Sequence, residues 1–253
     1  MADKGGINAV RTSFQIVHAL READEGMGVS ELARELNLPV STVHSHLSTL
    51  HDCEYVTKRG SKYSIGYRFL EVGGSVRNHS RLFEYARPKV DQLADEFGDK
   101  VSLCVLDHGL VAYTYIAKGE EAIETDTFTG IRLLPHSCAS GKAILAHLPD
   151  KHRTDVLKRR GLSQVGPNTI TDRDELLTEL ETIQSEGVAF DRQERLEGIR
   201  SVAAPIPREG NQPNAAISIS APISRMSDER FEREIPERVQ NIAETIRIKL
   251  RYA

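Results

Sequence analysis

The sequence predicts an α+β chain of two domains, and three observations carry that expectation. Residues 29–66 read in order as a short helix, a tight turn, a second helix and a β-hairpin. Beyond them, segments with strand alternation and segments with helical periodicity interleave without a regular repeat, which argues for an α+β sheet domain and against a nucleotide-binding parallel one. With 253 residues the chain has room for one small and one ordinary domain, and 39% hydrophobic residues can build a core in each. The expected division is a domain over 1–66, a linker helix over 67–80 and a larger domain over 81–253.

Taken in order, Ile7, Val10, Phe14, Val17 and Leu20 fall at helical spacing and predict an amphipathic helix that closes a three-helix core. Ser30 is read as the N-cap of the next helix, with Glu31 complementing the dipole of its first turn. Leu32, Ala33 and Leu36 give that helix one apolar stripe. Asn37 tolerates the left-handed conformation that ends helices, and Pro39 favours a fresh start. In the second helix Val40, Val43, Leu47 and Leu50 predict a buried face. The opposite face carries Ser41, Thr42, Ser45, Ser48 and Thr49, flanked by His44 and His46. Tyr55–Val56 and Tyr63–Ile65 read as strands joined by the basic turn Lys58-Arg59-Gly60-Ser61-Lys62.

This order of pieces is a winged helix-turn-helix, which places its second helix in the DNA major groove. Short hydroxyl side chains let such a helix approach base edges and phosphates closely. A helical hairpin that only packs is the alternative, but it leaves the basic hairpin tip without a purpose. Val40–His51 contains no Lys or Arg. Phosphate neutralisation must then come from Lys58, Arg59 and Lys62, from Arg11 or Arg34, and from helix N-termini. Modest affinity per domain, recovered by a dimer, is the expectation. The candidate DNA contacts are Ser30, Ser41, Thr42, His44, Ser45, Ser48, Thr49, Lys58, Arg59 and Lys62.

Tyr67–Arg77 reads as a helix weakened by Gly73-Gly74, which suits a hinge or a close helix crossing. Leu82–Phe97 is a stronger helix ended by Gly98. Val101–Asp107 and Val111–Ala117 are strands joined at His108-Gly109, and Ile123–Phe128 is read as another strand. Ser140–Leu148, ended by Pro149, and Asp150–Arg159, closed by Gly161, are helices. Thr171 is read as the cap of a helix over Asp172–Glu186, with Gly187 at its end. Val202–Ile206 and Ala215–Ala221 are strands. Ser227 caps a C-terminal helix with Phe231, Ile235, Val239, Ile242, Ile246 and Leu250 on one face.

The net charge of −4 is not that of a protein coating nucleic acid non-specifically, although it allows a specific binder whose larger domain is acidic. The three cysteines, Cys53, Cys104 and Cys138, are scattered and lack a CxxC pair, so neither a disulfide framework nor a zinc finger is indicated. No leader pattern and no bilayer-length apolar run is present, which makes a reducing cytoplasm the default. No GxSxG, HExxH or GxxxxGK[ST] occurs, so no catalytic residue, metal or cofactor is assigned. His136, Cys138 and Cys104 keep two alternatives open: a metal- or redox-responsive regulator, and a small-molecule enzyme using Cys138 and His136.

Two features suit a small-molecule sensor. Ile217, Ser218, Ile219 and Ser220 alternate, so both serines share a sheet face that either lines a pocket or meets solvent. Cys138-Ala139-Ser140-Gly141-Lys142 opens a helix with small residues, so its amides and dipole can hold a carboxylate; an ordinary helix start capped by Ser140 is the plainer reading.

Several phrases in sequence order, LPVSTVHSHLSTL, KYSIGYRFLEVG, GIRLLPHSCASGKAILAHLP, GVAFDRQERLEGIRSVAAPI and AAISISAP, make the chain resemble the IclR family of bacterial and archaeal transcriptional regulators over nearly its whole length. The resemblance implies a GAF-like α/β effector-binding domain and control of a catabolic operon. It implies a small organic acid or aromatic metabolite, a carboxylate by class, as effector. Its partners would be double-stranded DNA with a near-palindromic operator and a second copy of the chain, with a tetramer as the larger assembly. Relatives bind carboxylates at the backbone matching Ala139 and Ser140, and Asp191 and Ser201 match ligand positions. Leu133 and Leu134 are candidate apolar walls, while Arg200 is read as an ion-pair former. The candidate effector contacts are therefore Leu133, Ala139, Ser140, Asp191, Ser201, Ser218 and Ser220. Relatives often carry Gly at the positions of Asn37 and Glu54, and Arg at that of Ser45.

Overall fold

A computed structural model describes residues 6–207 and 214–252, and these divide into two compact units between Val76 and Arg77.

The first unit opens with α1 (Asn8–Glu22), the short β1 (Met27–Gly28), α2 (Val29–Glu35) and α3 (Val40–Asp52). The hairpin β2 (Val56–Arg59) and β3 (Lys62–Ile65) follows, then α4 (Arg68–Asn78), which leads into the second unit. Strand β1 adds to the hairpin, giving a three-stranded antiparallel sheet ordered β1-β3-β2. Lys58, Arg59 and Lys62 belong to the strands themselves, leaving Gly60-Ser61 as a two-residue turn with Gly60 at φ 60°.

The core of this unit unites Ile16 and Leu20 of α1 with Leu32, Ala33, Val43, Leu47, Val56 and Tyr63. That core corrects three sequence expectations. Of the expected α1 stripe Leu20 is buried and Val17 half-buried, but Ile7 (71% exposed), Val10 and Phe14 point outward, and Ile16 and Ala19 complete the inward side instead. A core this small takes only one side of the helix. Val40 sits in the first turn of α3 and is 54% exposed, so its buried face is Val43 and Leu47 with Leu50 half-buried. Helix α2 begins one residue before Ser30, and its cap is Gly28, whose amide donates to Glu31 Oε2 at 3.3 Å. Asn37 (φ 52°) and Glu54 (φ 65°) both hold the left-handed conformation, which glycine adopts without a side-chain clash.

Helix α4 runs unbroken through Gly73 and Gly74, and a Cβ at either would meet open space within this chain. Of the two readings, a hinge or a close helix crossing, the crossing is not made among the described residues.

The second unit begins with α5 (Arg81–Phe97), capped by Ser80 and ended by Gly98 at φ 71°. It continues with β4 (Lys100–Asp107), β5 (Leu110–Lys118) and β6 (Arg132–Leu133). After a 3-10 turn at Pro135–Ser137 come α6 (Ala139–Ala146), α7 (Asp150–Arg160) and α8 (Arg173–Glu186). Strands β7 (Ala189–Arg192), β8 (Ile199–Ile206) and β9 (Ala215–Pro222) precede α9 (Ile235–Tyr252). The antiparallel sheet is ordered β6-β5-β4-β9-β8-β7. One face, carrying Val101, Leu103, Val202, Ile217 and Ile219, packs under α5 and α9. The other carries Ala189, Ala203 and Ala216, whose small side chains admit α6 and α8. The expected stripe from Phe231 to Leu250 is buried, its first member Phe231 on a π-helical turn at Arg230–Glu234 that runs into α9.

Two further expectations are corrected. Asp172, not Thr171, caps α8, its Oδ1 accepting from the amides of Asp174 and Glu175 at 2.9 Å. Residues Ile123–Phe128 form no strand. Their alternation has a different origin. Thr125 and Thr127 turn inward to Lys100, while Glu124 is held by Lys118 and Asp126 by Arg195. Side chains, not a ladder, hold this segment.

Candidate functional site

On the first unit, α3 presents Ser41, His44, Ser45, Ser48 and Thr49 to solvent, with Thr42 half-buried. The hydroxyls of Ser45 and Thr49 donate to the carbonyls one turn back, Ser41 and Ser45, both at 3.0 Å. This keeps the face low and leaves their lone pairs free to accept. Opposite it, Ser13 Oγ bonds His46 Nδ1 at 2.8 Å, pinning α3 to α1. Ser30 is exposed near the start of α2. On the hairpin Lys58 lies over the Tyr63 ring and Lys62 pairs with Glu25 at 3.3 Å, whereas Arg59 is exposed without an ion pair among the described residues.

On the second unit, the sheet face beside the first turn of α6 changes from alanine to polar. Register explains the change: Ser220 lies opposite both Lys100 and Ser201, Ser218 lies opposite Ser102, and Asp191 lies opposite Ser201. Ser218 is buried, so this face is a lining and not the solvent side. It encloses a cavity of about 30 Å³, lined also by Tyr113, Cys138, Ala139, Ser140, Arg195, Leu196 and Ile199, with Thr125 and Thr127 at one wall. Six of the seven expected effector residues meet here: Ala139, Ser140, Asp191, Ser201, Ser218 and Ser220. Leu133 does not; it packs on β6 against the cluster of Cys104, Val111 and Tyr113. Lys100, Tyr113 and Arg195 were missed. A lysine opening an apolar strand reads as a solvated end, and only the β4–β9 register puts it opposite Ser220.

The lining is held tightly. Gly141 lets the Pro135–Ser137 turn fold onto α6, since a Cβ there would stand 2.1 Å from the Pro135 carbonyl oxygen. Lys142, fully buried, joins Glu194 at 2.6 Å and Glu179 at 3.1 Å, and the Glu194 amide donates to Asp191 Oδ1 at 2.7 Å. Ser201 Oγ donates to Ser220 Oγ at 2.9 Å. Burial, with repulsion from Glu194, pushes the Asp191 carboxyl up to about 7. Burial, with the Arg195 charge beside it, pulls Lys100 down to about 8.

Cys138 and Cys104 are buried thiols pushed upward by desolvation, the reverse of an activated nucleophile. His136 bonds the Ser163 carbonyl and is pulled down by burial. Among the described residues no group of His, Cys, Asp or Glu has the arrangement to hold a metal ion. Arg200 pairs with Asp228 and lies over Phe231, as an ion-pair former should.

Residues 9–60 match the IclR helix-turn-helix domain, and residues 75–248 match the bacterial transcriptional regulator IclR C-terminal domain. The chain belongs to the IclR family. It is 30% identical over 251 residues to the probable HTH-type transcriptional regulator ArcR of Halobacterium salinarum, covering 98% of this chain and 95% of that protein. The crystal structure of the Thermotoga maritima IclR shares 30% identity at a TM-score of 0.78, covering 98% of this chain and all of that one. An IclR homologue from Microbacterium hydrocarbonoxydans, solved with 4-hydroxybenzoate, has the same fold at a TM-score of 0.80 and 24% identity, covering 97% of this chain and 100% of that one. IclR-family relatives are transcriptional regulators and not enzymes. This chain is a DNA-binding regulator with an effector-binding domain, and neither the enzyme reading nor the metal or redox reading gains support.

Proposed function

We propose that this IclR-family regulator reads a near-palindromic operator beside a catabolic operon as a homodimer, and that a small carboxylate in the second unit's cavity sets its affinity. One observation carries the reading: a polar, exposed α3 face stands on a core of its own, and a separate polar cavity is buried under α6. Ser41, Thr42, His44, Ser45, Ser48 and Thr49 read base edges and phosphates. Ser30, Lys58, Arg59 and Lys62 contact phosphates. Ala139, Ser140, Asp191, Ser201, Ser218 and Ser220 hold the effector.

The dimer reading is supported by apolar side chains that the monomer leaves exposed, Ile7, Val10 and Phe14 on α1 and Tyr67, Leu70 and Val76 at α4. Exposed apolar surface of this kind marks a contact with a partner. A dimer also doubles the few phosphate contacts, and a tetramer would double them again. Half-sites one turn apart require recognition helices about 34–36 Å apart. We place the switch in α4, which joins the units: the effector matters only if it favours one arrangement of the dimer. Among the described residues no helix is long and apolar enough to cross a membrane, and we place the protein in the cytoplasm.

The test is a footprint on DNA upstream of the chain's own gene, with and without a panel of small carboxylic acids. A protected two-fold sequence whose occupancy changes with one acid is expected. No protection at any sequence, or protection indifferent to every acid that binds, overturns the proposal.

A further inference from the structure

The cavity holds more cationic donors than one carboxylate needs. Lys100 is 6% exposed, and its Nζ donates to hydroxyls, those of Thr125 and of Thr127, the latter at 2.7 Å. The acids whose charge it feels, Asp126 and Glu124, are ion-paired to Arg195 and Lys118 instead. Arg195 lines the same cavity, and while its Nη2 holds Asp126, its Nε is buried without a hydrogen-bond partner among the described residues. The buried hydroxyl of Ser102, opposite Ser218, is equally unpartnered. Folded proteins leave few such atoms, and burying an ammonium without a counter-ion is costly. This group shares no partner with Ser140, which bonds Tyr113 and Cys138 at the start of α6.

We infer that the effector carries two anionic groups, one read by Lys100 and Arg195 and the other by Ser140 and the first-turn amides of α6. The inference rests on the acid-effector reading above and narrows it to diacids. Lys100 keeps its proton at pH 7, since it sits near 8. On binding, the second acid accepts the Nζ protons that Thr125 and Thr127 now hold. That exchange also provides the way in. The cavity has room for about two water molecules, far less than an organic acid needs. Thr125 and Thr127 line it on one side and an open groove of about 700 Å³ on the other. Releasing them from Lys100 opens the wall between the two spaces.

The experiment titrates acids of matched length into the full chain at pH 7 by calorimetry: butyrate against succinate, hexanoate against adipate, benzoate against terephthalate. In at least one pair the diacid should bind about tenfold tighter or more, the worth of a charge-assisted hydrogen bond. In Lys100→Met that preference should fall to within about threefold of unity, through loss of diacid affinity. Thr127→Ala keeps the cation and frees its protons, so it should retain the preference; it decides the case if Lys100→Met does not fold. Monoacids that match their diacids in the wild type, a folded Lys100→Met that keeps the preference, or a Thr127→Ala that loses it overturns the inference. If no acid of either kind binds the wild type, the acid-effector reading falls and takes this inference with it. If monoacids bind and diacids gain nothing, this inference alone falls.

Discussion

Up to Val76 the side chains assigned to DNA are exposed or half-buried, and the core beneath them is a separate set of residues. From Arg77 onward the side chains assigned to the effector are mostly buried: Ser140, Asp191 and Ser218 belong to the interior itself. In the first unit a functional residue can therefore change without cost to the fold. In the second, binding and stability share atoms, because a charge such as Lys100 or Asp191 is held out of water whether or not a ligand is present.

The strongest way to break this contrast is Leu47→Ala. Leu47 is fully buried in the first unit's small core, and truncation should cost about 2–5 kcal/mol. Operator binding should vanish while acid binding by the second unit persists. Calorimetric melting together with acid titration checks this, and loss of both activities would show that the units do not stand alone.

Asp191→Asn tests the coupling of site and stability. The Asp191 carboxyl is about 7 when folded and near the ordinary value of about 3.9 when unfolded. The folded state thus holds a proton that the unfolded state lacks between about pH 4 and pH 7. The stability this adds is complete below pH 4 and is lost as pH rises through about 7. Urea midpoints from pH 5 to pH 8 should show the wild type losing stability relative to the Asn variant. Parallel curves would mean that Asp191 is solvated.

Arg59→Ala should weaken operator binding several-fold and reduce the salt slope by about one, with no change in melting temperature. Unaltered salt dependence would remove the wing contact. The smallest effect belongs to Ser45→Ala. Its hydroxyl is exposed and bonded within its own helix, so stability should shift by less than about 0.5 kcal/mol. Sequence preference in a binding-site selection should still change.

The winged unit was legible because its signals are local. Asn37 and Gly60 end or turn the backbone as their conformational freedom allows, and the apolar spacing of α2 and α3 finds the right helices. Local reasoning found Leu20 but failed at the start of α1, where only the presence of neighbouring helices selects Ile16 and Ala19 over Ile7 and Phe14. It failed again at 123–128, where threonine alternation arises from side chains reaching Lys100. The serines of β9 and the small residues opening α6, which we propose hold the effector, stood out in the sequence itself. Arg195 and Tyr113 did not, since one reaches the cavity from the loop between β7 and β8 and the other from β5, and neither segment's own pattern says anything about it.

By itself the sequence determined much of the chain's vocabulary: the principal helices and the longer strands, a helix of the helix-turn-helix without Lys or Arg, and a strand with serines on one side. These follow from spacing along the backbone, at periods of 3.6 and 2 that need no partner. Tertiary structure alone decided which of those faces would lose water. Antiparallel register brought Lys100 across from Ser220, and the loop between β7 and β8 carried Arg195 to the same space. The charge of a buried group depends on what surrounds it in three dimensions, and neighbours far apart in the chain cannot be read from either period.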